Sequence, residues 1–276
     1  MRWQTSCTAN YKITLAMMKY YFRSALYSLL LLVSVSKSIA QNKQSSTLSP
    51  FEKVTVSPHI KLFLEEGSEE TVTIKESKVP LEKINIKVEG KNLLIYLDDA
   101  KITTKQIKQT ENGHTQSVPI YKGTQVTAHV TYKTLKDLSI RGEETTTCLS
   151  PLKEKELTIN LYGESHLLID SIETKELKAT LYGDNHLTIN RGSAISQSFK
   201  SYGESEVNVQ HLINDFSKVT AYGSSTFNLN TKDKIKVWAF GEARINYLGD
   251  PEIQRSITIG DLKIVKLTSP HSNSLN

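Results

Sequence analysis

Aromatic, acidic and imidazole side chains, three groups that can bind ligands or take part in catalysis, recur along this sequence at intervals of 20 residues. The repeated unit is an aromatic residue, a glycine, an acidic or polar residue and a small polar residue. Its four regular copies are Tyr162-Gly163-Glu164-Ser165, Tyr182-Gly183-Asp184-Asn185, Tyr202-Gly203-Glu204-Ser205 and Tyr222-Gly223-Ser224-Ser225. A fifth copy, Phe240-Gly241-Glu242-Ala243, follows after 18 residues, and a degenerate one, Arg141-Gly142-Glu143, precedes the first by 21.

The aromatic positions are the first candidate binding residues. If equivalent residues lie on neighbouring strands about 4.8 Å apart, five rings form a strip roughly 20 Å long. Such a strip can contact the apolar faces of sugar rings or the side chains of a protein partner. The alternative is that the rings only stabilise the corner at which they stack. The predicted strip consists of Tyr162, Tyr182, Tyr202, Tyr222 and Phe240.

The acidic positions Glu164, Asp184 and Glu204 form a second row of candidate binding residues. Carboxylate oxygens are ligands for calcium, so a calcium site is one possibility. The expected spacing is also near the ~5–5.5 Å that separates the two carboxyl groups of a retaining glycosidase. A polysaccharide lyase or hydrolase is therefore the alternative function. Ser224 interrupts the row, however, and solvated turn residues are the simpler interpretation. We assign no catalytic residue.

Two histidines follow the same interval. His166 and His186 would stack on adjacent coils with Glu206 next in line, and two imidazoles with a carboxylate can hold zinc. Surface histidines that happen to repeat are the alternative, and we predict no metal site and no required cofactor. The sequence has no nucleophile elbow and no phosphate-binding glycine loop.

The residues around each glycine predict the fold. Apolar and polar residues alternate on both sides of it, a pattern typical of half-buried strands, and the glycine marks a sharp corner between them. A propeller blade needs about 40 residues, whereas about 20 fit one coil of a solenoid. Leucine-rich repeats have a helical half that is missing here. We predict an all-β parallel β-helix in which the inward rows include Leu157/Leu177, Leu161/Leu181 and Leu167/Leu187/Val207/Phe227/Ile245.

The section before residue 140 has no fixed interval and predicts less regular strands. The candidate strands are Val54–Leu64, Thr71–Lys75, Ile84–Val88, Leu93–Leu97 and Gln125–Tyr132. Residues 101–121 are polar, contain Asn112-Gly113, and predict an exposed hairpin or loop. The resulting division is an irregular β section at 51–140 that caps the stack, regular coils at 141–250 and a closing strand at 251–268.

The first 40 residues have the order of a secretory signal peptide. Lys19 and Arg23 precede an apolar run from Ala25 to Val35, and small residues end the segment at Ala40. Met18 fits as an alternative start. We expect residues 41–50 to be a flexible leader and residues 269–276 a disordered tail. The protein is expected to be exported to the periplasm, the outer surface or the medium.

Charge balance bears on the expected partners, and cysteine content bears on disulfide formation. Five of the 34 basic residues and none of the 29 acidic ones lie in residues 1–40, which leaves 29 basic against 29 acidic residues. That balance gives no general electrostatic reason to expect nucleic acid or an anionic membrane as partner. Cys148 would be the single cysteine after cleavage, so no intrachain disulfide is expected. We expect no integral membrane segment after the signal peptide.

The chain also resembles a known family. The repeated units, the segment Leu-Lys-Asp-Leu-Ser-Ile-Arg-Gly at 135–142 and the closing Ile-Asn-Tyr-Leu-Gly-Asp-Pro at 245–251 are similar to the head GIN domain of exported Bacteroidota proteins, which carries the name of an auto-transporter adhesin. The resemblance spans 51–250. It implies a right-handed parallel β-helix with extended N-terminal strands, located in the envelope or at the surface, and it implies no reaction. Family members usually have Ser-Gly where this chain has Tyr-Gly, so a specialised outer surface is expected. The predicted function is non-enzymatic, adhesin-like binding of a glycan or protein.

Overall fold

A computed structural model describes residues 45–111 and 113–268. The predicted signal peptide, the first residues of the flexible leader and the predicted tail at 269–276 lie outside these ranges. The described residues form an all-β solenoid of about six turns with a repeat of about 20 residues, which confirms the predicted fold class. No helix in the described ranges is long and apolar enough to cross a membrane.

The strands divide at residue 137 into an irregular and a regular section. The irregular section contains β1 (Ser45–Thr47), β2 (Lys53–Val56), β3 (Ile60–Glu66), β4 (Thr71–Ser77), a 3-10 turn (Leu81–Lys83), β5 (Ile84–Glu89), β6 (Asn92–Leu97), β7 (Gln106–Glu111), β8 (His114–Pro119) and β9 (Val126–Tyr132). The regular section contains β10 (Asp137–Gly142), β11 (Thr145–Cys148), β12 (Leu152–Gly163), β13 (His166–Ile169), β14 (Ile172–Gly183), β15 (His186–Ile189), β16 (Gly192–Leu248) and β17 (Glu252–Lys266).

Each regular coil contributes to three faces, and every coil pairs with the next in parallel register. The tyrosine face consists of β10, residues 158–163 of β12, residues 178–183 of β14 and the equivalents in β16. The histidine face consists of β11, β13, β15 and the equivalents in β16. The third face begins with residues 152–156 and 172–176. On the tyrosine face, Tyr162 pairs with Tyr182 and Tyr182 pairs with Tyr202.

The interior is built from the predicted inward rows. Leu167, Leu187, Val207, Phe227 and Ile245 are at most 2% exposed, as are Leu157, Leu161, Leu177 and Leu181, so these rows are confirmed. Burying one such side chain stabilises the fold by roughly 1.5–3 kcal/mol. In the next coil these rows contain polar residues, because Gln197 pairs with Leu177 and Ser201 pairs with Leu181. Gln197 and Ser201 are nevertheless buried.

A column of glycines forms the corner between the tyrosine and histidine faces. At Gly203 the backbone has φ +129°, and an added Cβ would lie 2.7 Å from the carbonyl oxygen of Gly183 in the preceding coil. Two features exclude a side chain at Gly203: the positive φ of its backbone and the close approach of the neighbouring backbone. The other glycines of the column, also at positive φ, are Gly142, Gly163, Gly183, Gly223, Gly241 and Gly260.

The irregular section differs from the prediction in one strand. The apolar run Val54–Leu64 was expected to be continuous, which is wrong, because it is broken between β2 and β3. His59 has φ +72° and forms the corner that a glycine forms elsewhere. Its N–H donates to Oε2 of the buried Glu144 at 2.8 Å, which fixes this turn.

The remaining irregular strands mix parallel and antiparallel pairing. β4 and β5 pair antiparallel with β9 and β6, while β6 and β9 pair parallel with β2 and β3. β7 and β8 form the exposed antiparallel hairpin that the sequence predicted for 101–121. At the other end, β17 pairs in parallel with β16, and its opposite edge has no strand partner within the described residues.

Glu52 joins the irregular section to the first regular coil. Its carboxylate oxygens accept hydrogen bonds from Nζ of Lys91 at 2.6 Å and Nζ of Lys136 at 2.9 Å. These two charged donors lower the pKa of Glu52 from 4.5 to about 2. The carboxylate therefore stabilises the fold only while it is ionised.

The glycine column predicts a position-dependent cost of alanine. Gly203→Ala is expected to lower the free energy of unfolding by about 3 kcal/mol or more, since backbone strain and overpacking each cost ~1–3 kcal/mol. The control is Gly90→Ala, at φ +62° with no atom within 4 Å of the added Cβ. It should cost only about 1–2 kcal/mol. Both values are measured by urea-induced unfolding, and equal losses would contradict the steric role of the column.

The lowered pKa of Glu52 predicts a pH-dependent stability. Stability linked to a lowered carboxyl pKa is present above the unfolded-state pKa of 4.5 and is lost as the pH falls through the folded-state value of about 2. Glu52→Gln should therefore lower the melting temperature at pH 7, and its difference from the parent should narrow below pH 4.5. Glu82→Gln, at a carboxylate with no ion pair within the described residues, serves as the control. A difference that stays constant down to pH 3 would refute this assignment.

Candidate functional site

The five predicted aromatic residues form one continuous stack on the tyrosine face. Successive ring centroids, from Tyr162 through Tyr182, Tyr202 and Tyr222 to Phe240, are 4.8–5.2 Å apart, with interplanar angles of 3–6°. The parallel register of β12, β14 and β16 produces this spacing, because equivalent residues of adjacent coils lie directly over one another. The sequence-based prediction that these five rings lie one coil spacing apart in a continuous strip is confirmed.

The ring faces are largely occupied by one another. Nearly parallel rings with centroids about 5 Å apart must overlap face to face with an offset, because coplanar rings would collide at that distance. At one end of the stack, the guanidinium carbon of Arg141 lies 4.5 Å from the centroid of Tyr162, in cation–π geometry. The strip was expected to offer flat ring faces, but what it presents outward are ring edges and a row of phenol hydroxyls.

The stack is nevertheless open to solvent along its length. Tyr182, Tyr202 and Tyr222 are 42%, 38% and 39% exposed, whereas Tyr162 and Phe240 are half-buried. Residues that alternate with the tyrosines, Leu181 and Ala221 among them, are buried and hold the strands against the core. The tyrosine hydroxyls therefore extend from a rigid sheet, so a ligand would not have to order these side chains when it binds.

Sequence reasoning missed the fourth residue of each repeat as a structural element. Ser165, Asn185, Ser205 and Ser225 all point inward and are buried. The hydroxyls of Ser165, Ser205 and Ser225 donate to the carbonyl oxygens of Gly142, Gly183 and Gly203, each in a preceding coil, at 3.0, 3.2 and 3.3 Å. The signal was present in the sequence, because this position is small and polar in four successive copies. These side chains satisfy the backbone at the glycine corner.

The carboxylate row lies beside this corner, pointing outward. Glu164, Asp184 and Glu204 are all exposed, and within the described residues none of them forms an ion pair with a basic side chain. The N–H groups of Glu164 and Asp184 donate to the carbonyl oxygens of Gly142 and Gly163 in the preceding coils at 3.0 and 2.8 Å. The geometry thus holds their backbones in place and leaves the carboxylates in solvent.

The histidine face carries the predicted imidazole pair. The rings of His166 and His186 are stacked with centroids 4.6 Å apart, and Nδ1 of His186 lies 3.6 Å from Oε2 of Glu206. The three residues are therefore brought together in successive coils, as expected. Among residues 45–111 and 113–268, no group of three or more His, Cys, Asp or Glu side chains is arranged to hold a metal ion.

A lysine-lined groove next to the stack was also missed. It has a volume of about 530 Å³ and lies where the tyrosine face meets the third face. Five lysines line it: Lys178, Lys200, Lys218, Lys234 and Lys236. Four of them occupy outward positions of the tyrosine-face strands, two or four residues before an aromatic of the stack. Comparing the outward positions coil by coil would have found this row.

The chain matches one family model over most of its length. The family is described as "Putative auto-transporter adhesin, head GIN domain", and the match covers residues 50–251. No curated protein matches the sequence. The matched range includes the glycine column, the aromatic stack and the groove.

Crystal structures with the same fold come from Bacteroides and Parabacteroides species. A putative adhesin from Bacteroides fragilis has a TM-score of 0.66 at 16% identity, and one from Parabacteroides merdae has 0.58 at 16%. A protein from Parabacteroides distasonis named as a putative lipid binding protein has 0.55 at 18%. Each similarity covers 82% of this chain and 96% of the other. At these identities the likeness establishes the fold.

The stack predicts measurable coupling between adjacent rings. In a double-mutant cycle of Tyr182→Leu and Tyr202→Leu, we expect a coupling free energy of about 0.5–1.5 kcal/mol, because each substitution removes the same ring–ring contact. Tyr162 and Tyr202, two coils and roughly 10 Å apart, form the control pair, whose coupling should stay within about 0.5 kcal/mol. Equilibrium unfolding measures both, and equal values for the two pairs would show that the rings do not stabilise one another by contact.

Proposed function

We propose that this chain, which belongs to the head GIN domain family, is an exported, non-enzymatic binding protein of the cell envelope or surface. The family match and the adhesin names of the structural neighbours support a binding role. The signal-peptide pattern of residues 1–40 supports export.

The proposed ligand is a glycan chain that lies along the tyrosine face. The observation that carries this proposal is the continuous in-register stack, in which three large tyrosines remain about two-fifths exposed on a rigid sheet. Tyrosines that stay exposed and ordered favour recognition, since little side-chain entropy is lost when a ligand binds. The stack repeats with the coil spacing, and a polysaccharide is a ligand that also repeats along its length.

The geometry specifies how the glycan would be held. Because ring faces contact one another, sugar hydroxyls would exchange hydrogen bonds with the phenol hydroxyls of Tyr182, Tyr202 and Tyr222, and ring edges would supply apolar contact. Each hydrogen bond contributes about 0.5–1.5 kcal/mol net. Several weak, repeated contacts of this kind would give an affinity that increases with the length of the glycan.

The first experiment screens the protein on a glycan array and assays each bound glycan for reducing-sugar release. Binding without release is the expected outcome. Release of reducing ends would instead favour the carbohydrate-active enzyme. Binding of a protein partner, with no glycan bound, would show that the tyrosine face is a protein interface.

Substitutions in the stack test the mode of binding. Tyr182→Ser combined with Tyr202→Ser should abolish glycan binding and leave the far-ultraviolet circular dichroism of the strands unchanged. Tyr182→Phe combined with Tyr202→Phe keeps the stack but removes two hydroxyls, and it should lower the affinity by about tenfold, equivalent to 1.4 kcal/mol. The matched control is Ile195→Ser, at a 49% exposed residue on the third face. Unchanged affinity of the serine variant would rule out the tyrosine face as the site.

A further inference from the structure

The groove beside the stack concentrates positive charge on a chain that is otherwise balanced. Its lining includes five lysines, and the one carboxylate, Glu176, is paired with Lys178 at 2.8 Å. Residues 41–276 as a whole carry 29 basic and 29 acidic residues. The surplus at this place is therefore local, and the field of the groove attracts anions although the protein as a whole does not.

Three of these lysines are available to a ligand. Within residues 45–111 and 113–268, no carboxylate forms an ion pair with Lys200, Lys218 or Lys236, whereas Lys234 pairs with Glu252 at 3.2 Å. Lys200 and Lys218 are exposed. An ammonium that has no carboxylate neighbour can form a charge-assisted hydrogen bond with a ligand anion without first breaking an internal pair.

Trp238 positions two of these three lysines. Nζ of Lys218 lies 4.9 Å from the centroid of the indole, and Nζ of Lys236 lies 4.6 Å from it. Cation–π contact restrains both ammonium groups above the same ring. Two ammonium groups thus lie within 5 Å of one ring centroid, and an anion bound near them would offset their like charge.

The lysines are spread along the solenoid axis. They come from successive coils, so with about 4.8 Å per coil the row from Lys178 to Lys236 spans roughly 14 Å. A single small anion would contact one or two of them. A polymer that carries a negative group on successive units would contact Lys200, Lys218 and Lys236 together while its sugar rings lie beside the tyrosine stack.

Polar side chains of the interior lie beneath the groove. Gln197, 2% exposed, donates from Nε2 to Oγ of Ser217 at 2.9 Å, and both residues line the groove. Within the described residues, Oε1 of Gln197 has no hydrogen-bond partner. Because Gln197 continues the inward row of Leu177, this unpaired acceptor belongs to the interior and not to the surface that a ligand would contact.

We propose that this groove, together with the adjoining tyrosine stack, binds an acidic polysaccharide, with Lys200, Lys218 and Lys236 holding its anionic groups. The inference rests on the proposed glycan-binding function and names the class of glycan. Single-stranded nucleic acid is less suited to the site, because it binds by stacking bases on free ring faces, and the faces of Tyr182, Tyr202 and Tyr222 are covered by neighbouring rings.

The test compares polymers that differ in charge. Affinity electrophoresis is run with polygalacturonate, which carries carboxylates, with dextran sulfate and with neutral dextran. Lys200→Gln combined with Lys218→Gln should weaken binding of the acidic polymers by tenfold or more at low salt and leave neutral-glycan binding unchanged. The preferred acidic polymer, carboxylated or sulfated, identifies the anionic group.

A control variant separates site binding from general charge. Lys153→Gln combined with Lys175→Gln removes the same charge from exposed positions on the third face. It should change the affinity for polygalacturonate by less than twofold. Equal weakening by both double variants would overturn the inference, as would unaltered affinity of the groove variant or tighter, lysine-dependent binding of single-stranded oligothymidylate.

The outcomes also distinguish the inference from the function on which it rests. Binding of neutral glycans that depends on Tyr182 and Tyr202 but not on the lysines would sustain the proposed function and refute the acidic ligand. Acidic-polymer binding that depends on the lysines but not on the tyrosines would sustain the groove and refute the tyrosine strip. Absence of binding to every polymer would refute both.

Discussion

The direct backbone contact at the glycine corner is the constraint on which the rest of the structure depends. The carbonyl oxygen of Gly183 fills the space that a side chain of Gly203 would occupy, and equivalent contacts recur along the column. Coils can approach to strand-pairing distance around their whole circumference only because no Cβ intervenes at the corner. Tyr202 immediately precedes Gly203, and Ser205 follows it by two residues. The glycine contacts therefore fix the register of both the outward aromatic stack and the inward hydroxyl row.

The polar interior follows from the same constraint. A corner that presses one backbone against another leaves carbonyl groups in the core, and each needs a donor. Ser165 and Ser225 supply it from the following coil, while Glu144 accepts the N–H of His59 where the column begins. Gln197 and Ser217 extend polar contacts deeper, to the place where the lysine groove opens. The polar core and the lysine-lined groove are thus neighbouring parts of one arrangement.

The sequence predicts the elements whose physics is local and repeated. Period-two alternation identified Leu167 and Leu187 as inward, and the fixed interval identified the tyrosines as neighbours. It could not reveal the corner at His59, because a non-glycine residue takes positive φ there and an acceptor 85 residues away holds it. Nor could it reveal that Gln197 is buried, since its partner Ser217 lies in the next coil. Such features depend on contacts between coils, which spacing alone does not specify.

In the proposed binding mode, the repeated stack serves both the stability of the sheet and the binding of a ligand. A ring that contacts two neighbours through its faces gives up the flat surface on which a sugar would lie, and it keeps its edge and hydroxyl. Tyrosine retains a hydrogen-bonding group under those conditions and phenylalanine does not, so the central positions Tyr182, Tyr202 and Tyr222 keep a row of hydroxyls that Phe240 at the end lacks. The hydroxyl row alone discriminates poorly among polyhydroxylated ligands. Lysines two to four residues away on the same face add the charge that can discriminate, and the two rows together favour a ligand that is both repetitive and anionic.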